Sequence, residues 1–485
     1  MLRIVGWLIR KTLYVTWVAL MIATPLVGFW LASSLAAFDN ASQWIALAVG
    51  LLLFPIVPVG WELFSAWRRA RRGATNKPIL TRLDRLVLRT LLVNGAFLGA
   101  MMWRAPHTAF RALAVRGDWM LDGYDGELAS QARGVLLSFA DRFEHRVHDA
   151  GDATTYGTST APPPEPQPGA TIYDLARPIQ PKDPNGWPLP AEPDALVTAI
   201  PDSAQTSVAA VGKFFAERIS DKRMLAKALH DYVVLRLHYD TPTSLLTGAA
   251  LATRPSQQAD DVFAARTGVC EGYARLMQAL GQAAGLEMAY ITGYIRDAHR
   301  NAGAATTDDA IKAALEGNLH AWNAVKIDGQ WLFVDATWDD PASDDGTQTL
   351  SETYLFTPPR WFGLDHHPME DAWQLLPNPI GIGDFSRQPL LSPTIGELGL
   401  VLEEPNRSQV TADNGAVHLE IGNPFGAGVV AQIVGGEACG DRAHDVRVEL
   451  ACIVPPGQHE IELFGAKDAA AHTYQYVGSI MVNDR

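Results

Sequence analysis

The chain has 485 residues, a formal net charge of -14, 48% hydrophobic residues and three cysteines. That length exceeds one ordinary hydrophobic core and predicts two or three folded units joined by linkers. The acidic balance argues against nucleic acid as a partner, because phosphate neutralisation needs clustered Lys and Arg, and these gather in one short run only.

Apolar residues concentrate at the start of the chain. Residues 12–38 carry no charge and exceed the ~20 residues needed to span a ~30 Å hydrocarbon core, which predicts a transmembrane helix. Residues 44–64 form a second candidate containing Pro55, Pro58 and Glu62, features tolerated in a span when neighbours satisfy the freed backbone groups. Residues 86–103 form a third, with Asn94 inside it and Arg89 near one end, from where it can snorkel to the headgroups. Arg3, Arg10 and Lys11 precede the first span, and Arg68, Arg69, Arg71, Arg72, Lys77, Arg82 and Arg85 lie between the second and third. The positive-inside rule puts both groups in the cytoplasm, and the third crossing then places everything after about residue 104 outside. The small residues at 32–37 suit a cleaved signal peptide, but the apolar stretch is too long for one and more spans follow. The reading is a multi-pass protein of the cell membrane, held in the lipid bilayer by its N-terminal helices, with an extracytoplasmic soluble part that is periplasmic or at the cell surface.

Five segments follow along the chain: a membrane anchor at 1–104, a juxtamembrane helix at 105–150, a Pro-rich linker at 151–190, a larger folded domain at 191–390 and a β-sandwich at 391–485. Helical spacing in the second comes from Leu136, Leu137, Ala140 and Phe143 on one stripe. The linker contains the run Pro162, Pro163, Pro164, Glu165, Pro166, an extended polyproline spacer. Leu225, Leu229, Val233 and Leu237 recur every four residues and predict a core-covering helix. Ser256 offers the N-cap of a short helix through Val262 and Phe263, with Thr267 and Gly268 ending it. Beyond about residue 392 the pattern turns to short alternating runs such as Val446, Val448, Leu450 and Cys452, separated by turn clusters at 405–408, 422–428 and 455–457, which predicts a small sandwich.

Chemistry centres on Cys270, in the run Gly268-Val269-Cys270-Glu271-Gly272-Tyr273-Ala274. Tyr273, Leu276, Met277 and Leu280 fall on one helical stripe, so Cys270 lies in the first turn of an amphipathic helix. Unpaired N–H groups at such a terminus, together with a protonated histidine, favour the thiolate, which is the nucleophile. Downstream, Asp328-Gly329 separates two apolar-rich runs and signals a hairpin. With these two residues as the loop, Ile327 pairs with Gln330, and the register puts His320 and Trp322 on the same face as Asp335, within diagonal reach. Thiol, imidazole and carboxylate perform acyl transfer: the thiolate attacks a carbonyl, imidazolium protonates the leaving group, and the carboxylate fixes the imidazole tautomer. The backbone N–H of Cys270 is a natural oxyanion donor, and Gln257, Gln258 or Tyr239 are candidates for a second.

The Cys270 block, His320-Ala321-Trp322-Asn323 and Val334-Asp335-Ala336-Thr337-Trp338-Asp339 occur in the order found in the transglutaminase-like superfamily, which the chain resembles over residues 220–361, as a membrane-anchored, bacterial-type member. The resemblance implies an α+β, papain-like core with Cys270 as nucleophile, His320 as acid/base and Asp335 as its orienting carboxylate. It implies a peptide or protein substrate and calls for no cofactor and no metal. Residues 296–316 are a polar insertion with the character of a lid or specificity loop. A non-catalytic papain-fold module that binds cell-wall or surface polymers is the competing function.

Other features read blandly. Cys439 and Cys452 form a disulfide or, with equal weight, Cys452 is core filler. Asp339, Asp340, Asp344, Asp345 and Gly346 lack EF-hand spacing and are expected to be a solvated acidic turn. His366 and His367, ahead of Pro368, are expected on a surface loop, and Trp331, Trp338 and Trp361 are expected to pack the core.

Overall fold

The computed structural model describes residues 2–38, 43–72, 80–105, 109, 112–114, 116–121, 127–141, 186–296 apart from 247, 319–340, and 350–484 apart from 445, 471 and 472. These residues form two compact units, one within the first 149 residues and one containing the thiol and the β-rich end of the chain. The Pro-rich run, the 296–316 insertion beyond Arg296, and Asp344, Asp345 and Gly346 lie outside the described residues.

In the first unit, helices α1 (Leu2–Phe38), α2 (Gln43–Arg71) and α3 (Arg82–Arg104) each contain a stretch long and apolar enough to cross a membrane. Helix α2 is interrupted at 52–56, where Phe54 leaves helical dihedrals ahead of Pro55, the restriction expected of a residue before proline. Helix α3 starts in a capping box between Thr81 and Asp84. Arg89 does not rely on reaching headgroups: it pairs with Glu62 of α2, which also binds Arg85 at 2.8 Å. Pairing removes the cost of an isolated charge among apolar helices. Within the segment expected as a juxtamembrane helix lies α4 (Glu127–Asp141), with Ala140 buried and Leu136 packed beside it.

In the second unit, α5 (Val208–Ala216) is capped by Ser207, and α6 (Lys222–Arg236) by Asp221, whose carboxylate accepts the N–H groups of Arg223 and Met224. Leu225, Leu229, Val233 and Leu237 are all buried, as their spacing requires. Helix α7 (Ala259–Ala265) departs from expectation at both ends. It starts after Gln258 rather than Ser256, whose hydroxyl instead bonds Asp261 and the Gln258 N–H. It stops at Arg266 in the left-handed region, because Thr267 and Gly268 are committed to a parallel bridge, β2 (Thr267–Gly268), with β1 (His238–Tyr239).

Helix α8 (Cys270–Ala283) follows at once and packs on an antiparallel sheet with strand order β5-β4-β3-β6: β3 (Glu287–Ile295), β4 (Leu319–Ile327), β5 (Gln330–Val334) and β6 (His366–Pro368). One core fills the space between α5, α6, α8 and the near face of this sheet through Phe215, Leu229, Tyr273, Met277 and Val325. The far face carries Ile291, Trp322, Phe333, Phe362 and Trp373. Gly293 lets that face close, since a Cβ there would lie 2.2 Å from the His367 carbonyl oxygen and 2.5 Å from the Trp322 ring.

The chain then builds two β-sheets: β8 (Val401–Glu404), β10 (Ala416–Gly422), β13 (Arg447–Ile453) and β12 (Gly440–His444) in one, and β7 (Leu390–Leu391), β15 (Gln475–Asp484), β14 (Gly457–Ala466) and β11 (Gly428–Ile433) in the other, with β9 (Gln409–Thr411) beside β15. Their inner faces share one core containing Leu419, Leu450, Ile461 and Ile480. Trp187, Trp361 and Leu364 enter the same core, so the β-rich end is fused to the thiol-bearing half. Val446 lies outside β13 and is exposed, but Leu450 and Cys452 point inward as their alternation predicts. Cys452 fills the core and also forms a disulfide with Cys439.

Candidate active site

Cys270 is the first residue of α8, and no side chain caps that helix. The Val269 N–H just ahead donates to Gln257 Oε1 at 3.0 Å. Gly272 permits this approach, because a Cβ there would sit 2.6 Å from the same oxygen. The thiol is free and buried, and it lies beside His320, whose charge it helps to hold. Of the three oxyanion candidates, Gln257 lies against the start of α8 and Tyr239 packs on Tyr273 at 6.2 Å, while Gln258 is exposed at the start of α7.

The hairpin has the expected register. Asp328 and Gly329 both take positive φ, 51° and 83°, the signature of a two-residue type I′ loop. Ile327 pairs with Gln330, and the ladder runs to Asn323 opposite Val334. There it stops: the Asp335 N–H turns away to the Tyr354 carbonyl. The side chains still meet, with His320 Nε2 at 2.6 Å from Asp335 Oδ2. With Nε2 committed to the carboxylate, Nδ1 is the ring nitrogen left for Cys270.

Asp335 is saturated as an acceptor. Oδ1 takes the N–H groups of Thr337 (2.9 Å) and Trp338 (3.3 Å), and Oδ2 is shared by His320 and, at 3.1 Å, by His366 Nε2. Burial alone pushes a carboxyl upward, yet His320 and His366 together hold Asp335 well below the ordinary carboxylate range. Burial likewise disfavours a charged His320, but the Asp335 carboxylate and the neighbouring sulfur outweigh it and raise the imidazole to about 10. At neutral pH an imidazolium therefore stands beside the sulfur and supplies the positive partner a thiolate needs. Trp322 and Trp338 flank the ring at 6.1 and 5.7 Å.

His366 and His367 are not on a surface loop. Both are buried in β6, paired with Ile295 and Tyr294 of β3. His366 packs on Phe362 with ring centroids 4.2 Å apart, and its Nδ1 lies 2.6 Å from Asp365 Oδ1. Asp365 Oδ2 in turn accepts the Tyr354 hydroxyl at 2.6 Å. The only sequence hint was the apolar cluster of Trp361, Phe362 and Leu364 just before the pair. The expectation of a solvated acidic turn is corrected at its two described residues, Asp339 and Asp340. Asp339 is fully buried and accepts the Tyr354 N–H at 3.0 Å, and Asp340 accepts the Tyr273 hydroxyl. Of the three tryptophans, Trp331 and Trp361 are core residues, whereas Trp338 is half-buried against the site.

A second buried cluster anchors this corner from behind. Lys227 Nζ donates to Asp231 (2.8 Å), Glu352 (2.7 Å) and the Glu192 carbonyl (3.0 Å), while His230 Nε2 lies 3.1 Å from Asp339. His230, Asp231 and Glu352 are close enough to hold an ion, but the Lys227 ammonium already supplies the cation there. His320, Asp335 and His366 are equally close, and their donor atoms are engaged with one another through a single carboxylate oxygen.

Residues 213–336 match the Transglutaminase-like superfamily. Among curated proteins, the kyphoscoliosis peptidase of Mus musculus is 26% identical over 200 residues, covering 40% of this chain and 28% of that protein. Hillarin of Drosophila melanogaster is 27% identical over 204 residues, 39% of this chain and 22% of its own length. The chain thus spans less than a third of either relative. The Homo sapiens kyphoscoliosis peptidase is 24% identical over 262 residues, 52% of this chain and 37% of that protein.

Proposed function

We propose that this chain, which carries a transglutaminase-like domain at residues 213–336, is a thiol enzyme that transfers or hydrolyses acyl groups of peptide or protein amides outside the cytoplasmic membrane. One observation carries the reading: Cys270 opens a helix beside an imidazole whose Nε2 lies 2.6 Å from a buried carboxylate. In this reaction the Cys270 thiolate attacks the carbonyl carbon. The Cys270 N–H, with Gln257 beside it, receives the developing oxyanion. His320, protonated at neutral pH, delivers its proton to the departing amine, and the acyl-thioester then passes to water or to a second amine. The peptidase name of the mouse and human relatives supports an amide substrate.

Three observations support the outward placement. Lys and Arg cluster before the first apolar helix and between the second and third. Among the described residues, three helices are long and apolar enough to span. A Cys439–Cys452 disulfide belongs to an oxidising compartment. The test is a peptide hydrolysis and amine-transfer assay on Cys270→Ala and His320→Ala. Turnover is expected to vanish in the first and nearly vanish in the second, since nucleophile and base act as a unit. Wild-type turnover by Cys270→Ala overturns the reading and favours a non-catalytic binding module.

A further inference from the structure

The carboxylate that orients His320 is itself gripped by a second histidine from a different strand. Asp335 Oδ2 lies 2.6 Å from His320 Nε2 and 3.1 Å from His366 Nε2. A carboxylate oxygen has two lone-pair directions, so the two imidazoles use both. The array continues inward: His366 Nδ1 to Asp365 Oδ1 at 2.6 Å, and Asp365 Oδ2 to the Tyr354 hydroxyl at 2.6 Å. All five groups after the thiol are buried.

We propose that His366 is a positioning residue of the thiol site, fixing the Asp335 carboxylate so that His320 presents Nδ1 to Cys270, with Asp365 and Tyr354 fixing His366 in turn. The proposal rests on the thiol reading of Cys270, His320 and Asp335 and deepens it. Three physical points carry it. First, a core histidine needs only one partner to satisfy a ring nitrogen, yet His366 has a carboxylate at each nitrogen and lies edge-on or stacked against Trp322, Trp338 and Phe362 at 5.2, 4.5 and 4.2 Å. Aromatic walls on this scale leave the ring little freedom to turn. Second, His366 Nδ1 is held by Asp365 Oδ1 at 2.6 Å, so Nε2 is the ring nitrogen that faces Asp335. Third, with His366 removed, Oδ2 would keep a single donor, and the carboxylate would lose one of the four contacts that fix its plane.

The titratable groups facing His366 come from four places in the fold. They are His320 of β4, Asp335 at the end of β5, Asp365 immediately before β6, and Tyr354 from the segment between β5 and β6. Cys270 of α8 lies beyond His320. Asp339 stands one step further, against Tyr354. No other group joins the array among the described contacts of His366.

The experiment uses the full chain and follows the pH profile of Cys270 alkylation by iodoacetamide beside kcat and KM for a peptide substrate. His366→Leu removes both nitrogens and keeps a buried apolar shape. We expect it to lose roughly tenfold in alkylation rate at neutral pH, the worth of one hydrogen bond to a charged group. The alkaline limb should move down and kcat should fall, with KM little changed. His366→Gln, whose side-chain amide can still donate to Asp335, should restore most of the loss. Asp365→Asn and Tyr354→Phe are isosteric and keep the test open if the leucine variant does not fold, and each should move the alkaline limb in the same direction by less. A wild-type profile and wild-type kcat in a folded His366→Leu protein overturn the proposal, as does a wild-type profile in both isosteric variants. Failure of the underlying reading looks different, because wild-type Cys270 would then be unreactive, or Cys270→Ala would retain turnover, and either result removes the positioning role with it.

Discussion

Replacing Asp335 by Asn is the sharpest single perturbation of the site. The side chain keeps its shape but loses its charge, and its amide must present an NH2 either to the two imidazole nitrogens or to the Thr337 and Trp338 N–H groups that the carboxylate now accepts. His320 rises from 6.5 to about 10 in its folded surroundings. At about 1.4 kcal/mol per unit, this is a preference for the imidazolium on the order of 4–5 kcal/mol. The Asp335 carboxylate is the leading charge behind that rise, and losing roughly 2 kcal/mol of the preference costs about 30-fold in rate. Loss of the correct tautomer adds to this and reaches ~10⁴ where an equivalent Asp is changed to Asn. The assay is turnover against pH: Asp335→Asn should lose between these limits, and its alkaline limb should fall from about 10 toward 6.5. Stability follows with a definite sign. His320 is raised, so its contribution is complete below 6.5 and is lost as pH climbs through about 10. Asp335 is depressed, so its contribution is present above 3.8 and is lost as pH falls through its lowered value. The stability gap between wild type and variant should be widest between pH 3.8 and 6.5. Turnover within a few-fold of wild type, with an unmoved alkaline limb, refutes the reasoning.

Inserting one residue beside Asp328-Gly329 should slip the hairpin by one, send Asp335 to the face opposite His320 and abolish turnover in a folded protein. An active, folded insertion variant contradicts the observed pairing of Ile327 with Gln330. Reduction of the Cys439–Cys452 disulfide, or Cys439→Ser, should cost about 3 kcal/mol, the chain-entropy value for a loop of this size, read as a fall in Tm. An identical Tm with and without reductant counts against it. Protease added to intact spheroplasts should cut within residues 151–185. A full-length protein that survives until lysis would place the thiol domain in the cytoplasm.

Local pattern decided much of the candidate site. A hairpin loop of Asp328 and Gly329 permits one register, and period two then dictates that His320 and Asp335 share a face, so their meeting was legible without any knowledge of the third dimension. The helical stripe of Tyr273, Leu276, Met277 and Leu280 likewise put Cys270 at a helix start, and uncharged runs of span length identified the apolar helices. What the sequence alone determined is therefore what depends on neighbours a few residues apart. His366 has no such pattern: its burial depends on a three-residue strand pairing with Ile295, and its chemistry on Asp335, 31 residues upstream. The same holds for Asp339 and for Lys227 with Glu352, 125 residues apart, whose charges are tolerable in the core only because partners from distant segments arrive beside them. Short strands and buried charges are stabilised by contacts that exist only after the chain has folded, and so tertiary structure alone decided that one carboxylate would serve two histidines.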